Sequence, residues 1–283
     1  MRRRPVLLLV VPLVVGLTAC EPPPPPPSDG PPVLVGAGDI ADCGEKADTD
    51  TGKLVDEIDG EVFTAGDNVG KRGRPSDYTD CYGPVWGRHN DRVHPSPGNH
   101  DYETSGASGY FGYFGERAGP AGLGYYFFDV GDWRVFSLNS EANVSASARF
   151  VRDNAGGHEC IAAIWHRPLR SSFGSDNAAN PLWQAVYDVG GDLVLNGHRH
   201  NYERFGLLDG GGQPVDGDER GMREIVVGTG GADFSQFRGV AAGSEVRDNT
   251  HHGVIEVELD EDGYAWTFHR TEDGIGDTGS GSC

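Results

Sequence analysis

The sequence predicts an α/β fold in which two packed mixed β-sheets are flanked by helices. Two observations carry that expectation. In the first half, short apolar runs of strand character alternate with segments of helical periodicity, the pattern of parallel strands joined by crossover helices. In the second half, strand-like runs follow one another through tight turns and read as hairpins. With the N-terminal segment set aside, about 250 residues remain, enough for one large domain with a substantial core.

Residues 1–19 read as a signal peptide. Met1-Arg2-Arg3-Arg4 is a cationic start, and Pro5 to Val15 is an apolar stretch too short to span a bilayer comfortably. Leu17-Thr18-Ala19-Cys20 sets small residues before a cysteine and resembles a bacterial lipobox, which implies cleavage before Cys20 and a lipid on its sulfur. Residues 20–32 are rich in proline and predict an extended spacer that holds a domain, 33–283, off a membrane.

The domain opens with a strand at Val33-Leu34-Val35. Thr51, Leu54, Val55 and Ile58 then mark a helix over about Asp48 to Asp59. A strand at Glu61-Val62-Phe63-Thr64 leads to a second helix over Asp77 to Trp86, with Ser76 as its N-cap. Arg92-Val93-His94 is the third strand. Ser105 to Gly124, rich in Gly, Tyr and Phe, reads as a long loop, either packed on the domain or walling a cleft. Tyr125–Val130 and Trp133–Leu138 form a hairpin around Gly131-Asp132. A helix over Ala146 to Arg152, a strand at Ile161–Ile164, a helix from Pro181 to Val189 and a strand at Asp192–Leu195 follow. Strands at Glu224–Val227, Val254–Leu259 and Tyr264–His269 close the chain, the last two joined by a turn ending at Gly263.

Five of these strands end in a short motif carrying an Asp, Asn or His. The motifs are Gly38-Asp39-Ile40, Gly66-Asp67-Asn68, Gly98-Asn99-His100-Asp101, Trp165-His166 and Gly197-His198-Arg199-His200. Strands ending side by side at one sheet edge would bring these loops together. The glycines allow sharp turns and close approach of backbone to an ion. Oxygen and imidazole ligands suit Zn, Fe, Mn or similar metals. His89 and His94 could line the cleft, though their spacing does not demand it, and the pair His251-His252 reads as a loop.

In order, type and glycine framing, the motifs resemble the calcineurin-like metallophosphoesterase superfamily. Gly197-His198-Arg199-His200-Asn201-Tyr202-Glu203-Arg204 is most similar to the last motif of its purple-acid-phosphatase-like branch. The resemblance runs from about Val33 to about Thr271. It implies the family's four-layer sandwich and a dinuclear site of two divalent or trivalent ions: Fe, Zn or Mn. It places Asp39, Asp67 and His200 on one ion. Asp67, Asn99, His166 and His198 fall on the other, with Asp67 bridging. It implies hydrolysis of a phosphate ester by a metal-activated hydroxide. His100 would stabilise the phosphoryl group or protonate the leaving oxygen, and Asp101 would orient His100. Arg167, next to His166, is a candidate phosphate contact together with Asn99 and His100. Tyr202 and Arg204 read as structural.

The chain departs from the family pattern at the first ion. The purple-phosphatase branch has a tyrosine where this chain has Gly70, and other branches have a histidine where it has Ala41. The first ion thus lacks its usual fourth protein ligand. Asp42 or Tyr82 could substitute for it, or the ion could keep an extra water. A neighbouring pair of loops also favours a Cys43–Cys81 disulfide out of three possible pairings, which leaves Cys160 with Cys283.

The formal charge of −20 becomes about −23 once the three signal-peptide arginines are removed. So acidic a chain is not built for nucleic-acid binding. Its phosphate would be drawn in by ions and local cations rather than by long-range steering. The function that follows is a lipid-anchored, extracytoplasmic phosphate monoesterase. A phosphodiesterase of nucleotides or phospholipids, and a degenerate metal- or phosphate-binding surface lipoprotein, are the alternatives.

Overall fold

Strands β1 (Val33–Ala37), β2 (Glu61–Ala65), β3 (Val93–Ser96), β6 (Ile161–Trp165) and β7 (Leu193–Asn196) are buried along almost their whole length. Continuous burial on both faces, rather than alternation, is what a parallel strand covered by layers on each side requires. In the computed structural model, which describes residues 30–283 apart from 42, 71, 175, 176, 217 and 218, these five strands form the centres of two sheets. The proposed lipidation site at Cys20, most of the proline-rich spacer, and Asp42 lie outside the described residues.

The first sheet has six strands in the order β13 (Ile275–Ser282), β12 (Gly263–Arg270), β11 (Gly253–Asp260), β1, β2, β3, and the second has seven in the order β10 (Ser244–Asp248), β8 (Tyr202–Leu208), β9 (Met222–Val227), β7, β6, β5 (Trp133–Ser137), β4 (Tyr126–Val130). Within the first, β1, β2 and β3 run parallel, and Ala37 pairs with Thr64 while Ala65 pairs with Ser96. Within the second, β6 and β7 are parallel, with Trp165 opposite Asn196. The carboxyl ends of neighbouring strands are therefore level, and the loops that follow them emerge side by side. The motif loops leave two facing sheets, three from one and two from the other, and not a single sheet edge as the sequence pattern implied.

The hairpins bring the second-half strands into both sheets. β4 (Tyr126–Val130) pairs with β5 (Trp133–Ser137), and β11 (Gly253–Asp260) pairs with β12 (Gly263–Arg270). Helices Ala47–Asp56, Val144–Asn154 and Asn180–Asp188 cover the outer faces, close to their predicted positions. Three strands were not legible beforehand: β8 (Tyr202–Leu208), β10 (Ser244–Asp248) and β13 (Ile275–Ser282).

Two helical expectations are corrected. The segment over Asp77 to Trp86 is a broken helix that starts at Pro75, with Arg74 rather than Ser76 at its N-cap. It widens to a π turn over Tyr78–Tyr82 before Gly83–Val85. Pro84 has no N–H to continue the regular ladder, and Gly83 N–H reaches back to Tyr78 O instead. The expected loop at 105–124 contains the helix Ser108–Phe114. Buried Tyr110 and Phe114 pack edge-on to each other, and Phe114 packs against Tyr78 and Tyr82. That segment is packing, not a cleft wall.

Cys43 is joined to Cys81 and Cys160 to Cys283. The first bond ties the loop after β1 to the broken helix, and the second anchors the end of β13 beside β6. Among the described residues, no helix is long and apolar enough to cross a membrane.

Candidate metal centre

Asp39, Asp67 and His198 adopt left-handed backbone conformations, with φ of 58°, 48° and 68°. Such conformations strain non-glycine residues. Here each turns the chain at the end of a strand and points a side chain into the gap between the sheets. The loops are stitched by backbone bonds: Asp39 N–H donates to Gly66 O at 3.0 Å, Ile40 N–H to Asp67 O at 3.1 Å and Gly197 N–H to His166 O at 3.0 Å. The glycines are needed for closeness. A Cβ on Gly98 would lie 2.2 Å from Asp67 Oδ1, and one on Gly197 would lie 2.5 Å from Ala65 O and 2.7 Å from Asp39 Oδ2.

The side chains fall into two neighbouring groups, with Asp67 in the first. In one, His166 Nε2 lies 3.1 Å from Asp67 Oδ2, 3.2 Å from Asn99 Oδ1 and 3.2 Å from His198 Nδ1. An ion held by bonds of about 2.0–2.2 Å keeps neighbouring ligand atoms roughly 3–3.5 Å apart, so these four atoms are spaced as ligands of one ion. His166 Nδ1 is 2.9 Å from Ala65 O, and donation there leaves Nε2 as the ligand nitrogen. Among the described residues, Asp67, His166 and His198 form one compact candidate metal cluster.

In the other group, Asp39 Oδ2 accepts from His198 N–H at 2.7 Å. Asp39 Oδ1 is buried and accepts no well-formed hydrogen bond; the nearest nitrogen is His200 Nε2 at 3.3 Å. His200 Nδ1 lies 2.7 Å from Asp233 O. With a proton on Nδ1, Asp39 Oδ1 and His200 Nε2 face each other across a place for a positive charge, which a proton on Nε2 or a metal ion can fill. The residues thus fit a first ion as well. A cavity of about 230 Å³ opens on this group, lined by Asp39, Asp67, Gly70, His100, His200 and Asp233 among others.

The charges agree with this fit. Burial works against a charge on His200, but Asp39 and the bond to Asp233 O outweigh it and raise its pKa to about 9. Burial likewise opposes charge on His166, yet Asp67 pushes its pKa up, and that of Asp67 goes down in return despite its own burial. Two imidazoliums thus neutralise the carboxylates when no metal does. His198 is kept neutral by burial and by the neighbouring His166 and Arg167.

The six candidate ligand residues lie together between the sheets, but two expectations about their surroundings change. Asp101 does not orient His100. Its buried carboxylate accepts from Tyr78 OH at 2.5 Å, Gly98 N–H at 2.7 Å and Asn68 Nδ2 at 3.1 Å. It locks the loop that presents Asn99 and His100, and is a positioning residue rather than a catalytic one. The His100 ring instead has Nδ1 3.1 Å from Glu103 Oε1 and Nε2 3.8 Å from Asp67 Oδ2, while its backbone N–H donates to Asp67 Oδ1 at 2.8 Å. Tyr82 does not line the cavity. It is buried against Tyr113 and Phe114, and burial raises its hydroxyl well above the usual tyrosine range.

Asp233 was missed because it follows β9 (Met222–Val227) in the glycine-rich turn Gly228-Thr229-Gly230-Gly231, with no strand-end motif to mark it. Glu203 was missed too: it is fully buried and accepts from Ser172 N–H at 2.8 Å and Ser244 Oγ at 2.7 Å, bracing the loop that follows His166. Tyr202 OH and Arg204 Nε both donate to Asp277 at 2.7 Å, which confirms them as structural. His89 packs on Gly52 O and His94 on Glu61 and Phe128, away from the cavity. His251 and His252 lie in the loop after β10.

The family model for calcineurin-like phosphoesterases matches residues 25–202. A search of the curated proteins finds no match. Among solved structures, the chain is similar to the purple acid phosphatase PPD1 of yellow lupin (Lupinus luteus) seeds, with a TM-score of 0.66 at 19% identity, over 89% of this chain and 53% of that one. It thus spans about half the length of the lupin enzyme. It is also similar to GAP50, the anchor in the inner membrane complex of Plasmodium (TM-score 0.66, 15% identity, 90% and 89% covered). PhoD follows, with a TM-score of 0.58 at 12% identity over 91% of this chain and 70% of that one. At these identities the likeness is one of fold.

Because His166 and His200 must give up protons before Nε2 can hold an ion, metal affinity should rise with pH, up to about 9 at the His200 group and about 10 at the His166 group. Each displaced proton adds roughly one log unit of affinity per pH unit. The metal-free protein should behave oppositely. A histidine whose folded pKa exceeds its unfolded value of 6.5 contributes stability that is present below 6.5 and lost as pH rises through about 9. Glu224, which burial holds neutral up to about 8, acts in the same direction. Calorimetric metal titrations and metal-free melting curves from pH 6 to 9.5 check both slopes; a metal affinity independent of pH would contradict the assignment.

Proposed function

The chain belongs to the calcineurin-like phosphoesterase family, and on that basis we propose that it is a dinuclear metal-dependent hydrolase of phosphate monoesters working outside the cytoplasm. Asp67, Asn99, His166 and His198 hold one ion. Asp39, Asp67 and His200 hold the other, with the carboxylate of Asp233 taking the place left open by Ala41 and Gly70. The ions supply, when bound, Lewis acidity toward a phosphate oxygen and toward water. An oxygen-rich set of three aspartates and one histidine favours Mn or Fe over Zn at the first position.

The observation that carries the reading is His100. Its ring, about a third exposed, stands in the wall of the cavity beside the bridging Asp67. A protein that only bound phosphate or metal would have no use for a titratable group there. His100 gives a proton to the leaving oxygen, and its backbone N–H fixes Asp67. Asn99 adds a ligand oxygen without adding charge next to the phosphate. Arg167 offers the phosphate a guanidinium.

The location is read from Leu17-Thr18-Ala19-Cys20 and the two disulfides, which form in oxidising compartments. The mature chain should begin at Cys20 with lipid on its sulfur and partition into detergent. An intact mass showing an unmodified N-terminus elsewhere would refute the anchor.

Activity is tested with a chromogenic phosphate monoester beside a diester, with Zn, Mn, Fe or Ca added. No turnover with any ion would overturn the enzyme reading, and preferential diester cleavage would overturn the substrate class. His100→Ala should cut turnover by roughly 10²–10⁴-fold with metal content unchanged; equal loss of metal and activity would mean that His100 is a ligand. Asp233→Asn should weaken only the first ion, seen as a lower chelator concentration needed to remove it. Unchanged chelator resistance would exclude Asp233 from the shell.

A further inference from the structure

One loop joins the metal centre to a second cavity. It follows β9 and first passes His200: Asp233 O meets His200 Nδ1 at 2.7 Å, and Ser235 N–H donates to His200 O at 2.9 Å. Three residues on, Arg238 N–H donates to Ser172 O at 2.9 Å, and Ala241 N–H donates to Ser172 Oγ at 2.9 Å. Ser172 is in turn fastened to the buried Glu203. The two stitched segments line a cavity of about 300 Å³, with Phe173, Arg238, Gly239, Val240 and Ala241 among its walls. Three residues span at most roughly 11 Å, so this cavity lies within the length of a small molecule from His200.

The walls offer positive charge and hydrogen-bond donors. Phe173 carries two guanidiniums, that of Arg238 at 4.2 Å from the ring centroid and that of Arg199 at 4.6 Å. Arg199 comes from between His198 and His200, so the stack begins at the metal motif itself. Arg170, also in the wall, is spent on Gly212 O at 2.6 Å and Gly211 O at 2.9 Å. Arg238 differs: it is exposed, and among the described residues its guanidinium rests on the ring with no carboxylate or carbonyl partner. An arginine without a carboxylate is notable in a chain with a formal charge of −20. Gly239 and Val240 follow it in the wall, and their backbone N–H groups donate to no described residue. A guanidinium beside two open backbone N–H groups suits a carboxylate or a phosphate.

We propose that this cavity is a second anion subsite, which selects phosphate esters whose alcohol portion carries a further carboxylate or phosphate. The metal centre takes the scissile phosphate. Arg238 and the N–H groups of Gly239 and Val240 take the remote anion. Val240, 68% exposed, gives the connecting carbon chain an apolar surface. The stack on Phe173 and the bonds to Ser172 restrain Arg238 before a ligand arrives, which lowers the entropy lost on binding. An ester with a neutral alcohol can reach only the metals. The first anchor rests on the phosphoesterase reading above, and the second on the cavity alone.

The two anchors are tested separately. In metal-free protein, titration with inorganic phosphate and then with acetate, followed by ¹H–¹⁵N shifts, should move the Gly239 and Val240 amides saturably with at least one of them. Arg238→Gln should abolish the response, and Arg238→Lys should restore part of it. In metal-loaded protein, calorimetry compares alkylphosphonates of increasing length that end in methyl, carboxylate or phosphonate. At one chain length an anionic end should bind about tenfold tighter than the methyl end; which anionic end gains more distinguishes carboxylate from phosphate. Arg238→Gln should erase that gap. Arg220→Gln, which removes the same charge at the opposite end of β9, should keep it. Wild-type amides that ignore both anions, or equal affinity for all three ends at every length, overturn the subsite. Loaded protein that binds no phosphonate, while the Gly239 and Val240 amides still respond, would sink the phosphoesterase reading and leave the subsite standing.

Discussion

One hydrogen bond between the sheets organises the centre: His198 N–H to Asp39 Oδ2, 2.7 Å long. It joins the loop after β7 in one sheet to the loop after β1 in the other. It spends one oxygen of Asp39 on backbone and leaves the second, buried and without a hydrogen bond, facing His200 Nε2. The bond can form only because no side chain stands in the gap. A Cβ on Gly197 would come within 2.7 Å of the accepting oxygen, and a Cβ on Gly38 would sit 3.0 Å from Gly197 Cα. Bare backbone at the seam is what lets two independent sheets share one cluster of ligands.

Holding the cluster is costly in two ways. Three of its residues have left-handed backbones, among six described non-glycine residues that do, each a strain of about 1–3 kcal/mol. Several buried carboxylates also need counter-charges. The protein answers the second cost with protons on His166 and His200, and with the guanidinium of Arg167. The first cost is met by the stitching of the loops to one another and to the strand ends below them.

Residues next to the ligands in the motifs act mostly as scaffold. Asp101 locks its own loop through Gly98, Asn68 and Tyr78. Glu203 braces the segment after His166, and Tyr202 and Arg204 fasten β8 to Asp277 on β13. Each holds the backbone from which a ligand projects, so a ligand's position depends on acids and hydroxyls well outside the cavity.

The candidate ligand set was legible in the sequence because each member sits just after an apolar run, all but His166 framed by glycine, and strand periodicity alone places such residues at a sheet edge. The central strands and covering helices were legible for the same reason: continuous apolar runs and helical spacing survive in one dimension. β8 was not, since Glu203 and Arg204 interrupt its apolar pattern and are tolerated only through partners distant in the chain. β13, Ile-Gly-Asp-Thr-Gly-Ser-Gly-Ser, has little strand propensity of its own and is held by pairing with β12 and by the Cys283 bond. Asp233 and the Glu141–Arg167 ion pair lie in loops with no periodic signal, and only the closure of the two sheets brings them to the ligands. The sequence by itself determined six candidate metal-binding side chains and that strands would deliver them. Tertiary structure alone decided that two sheets share the delivery and that Asp101 holds a loop rather than His100, because those depend on distances between segments that no local pattern encodes.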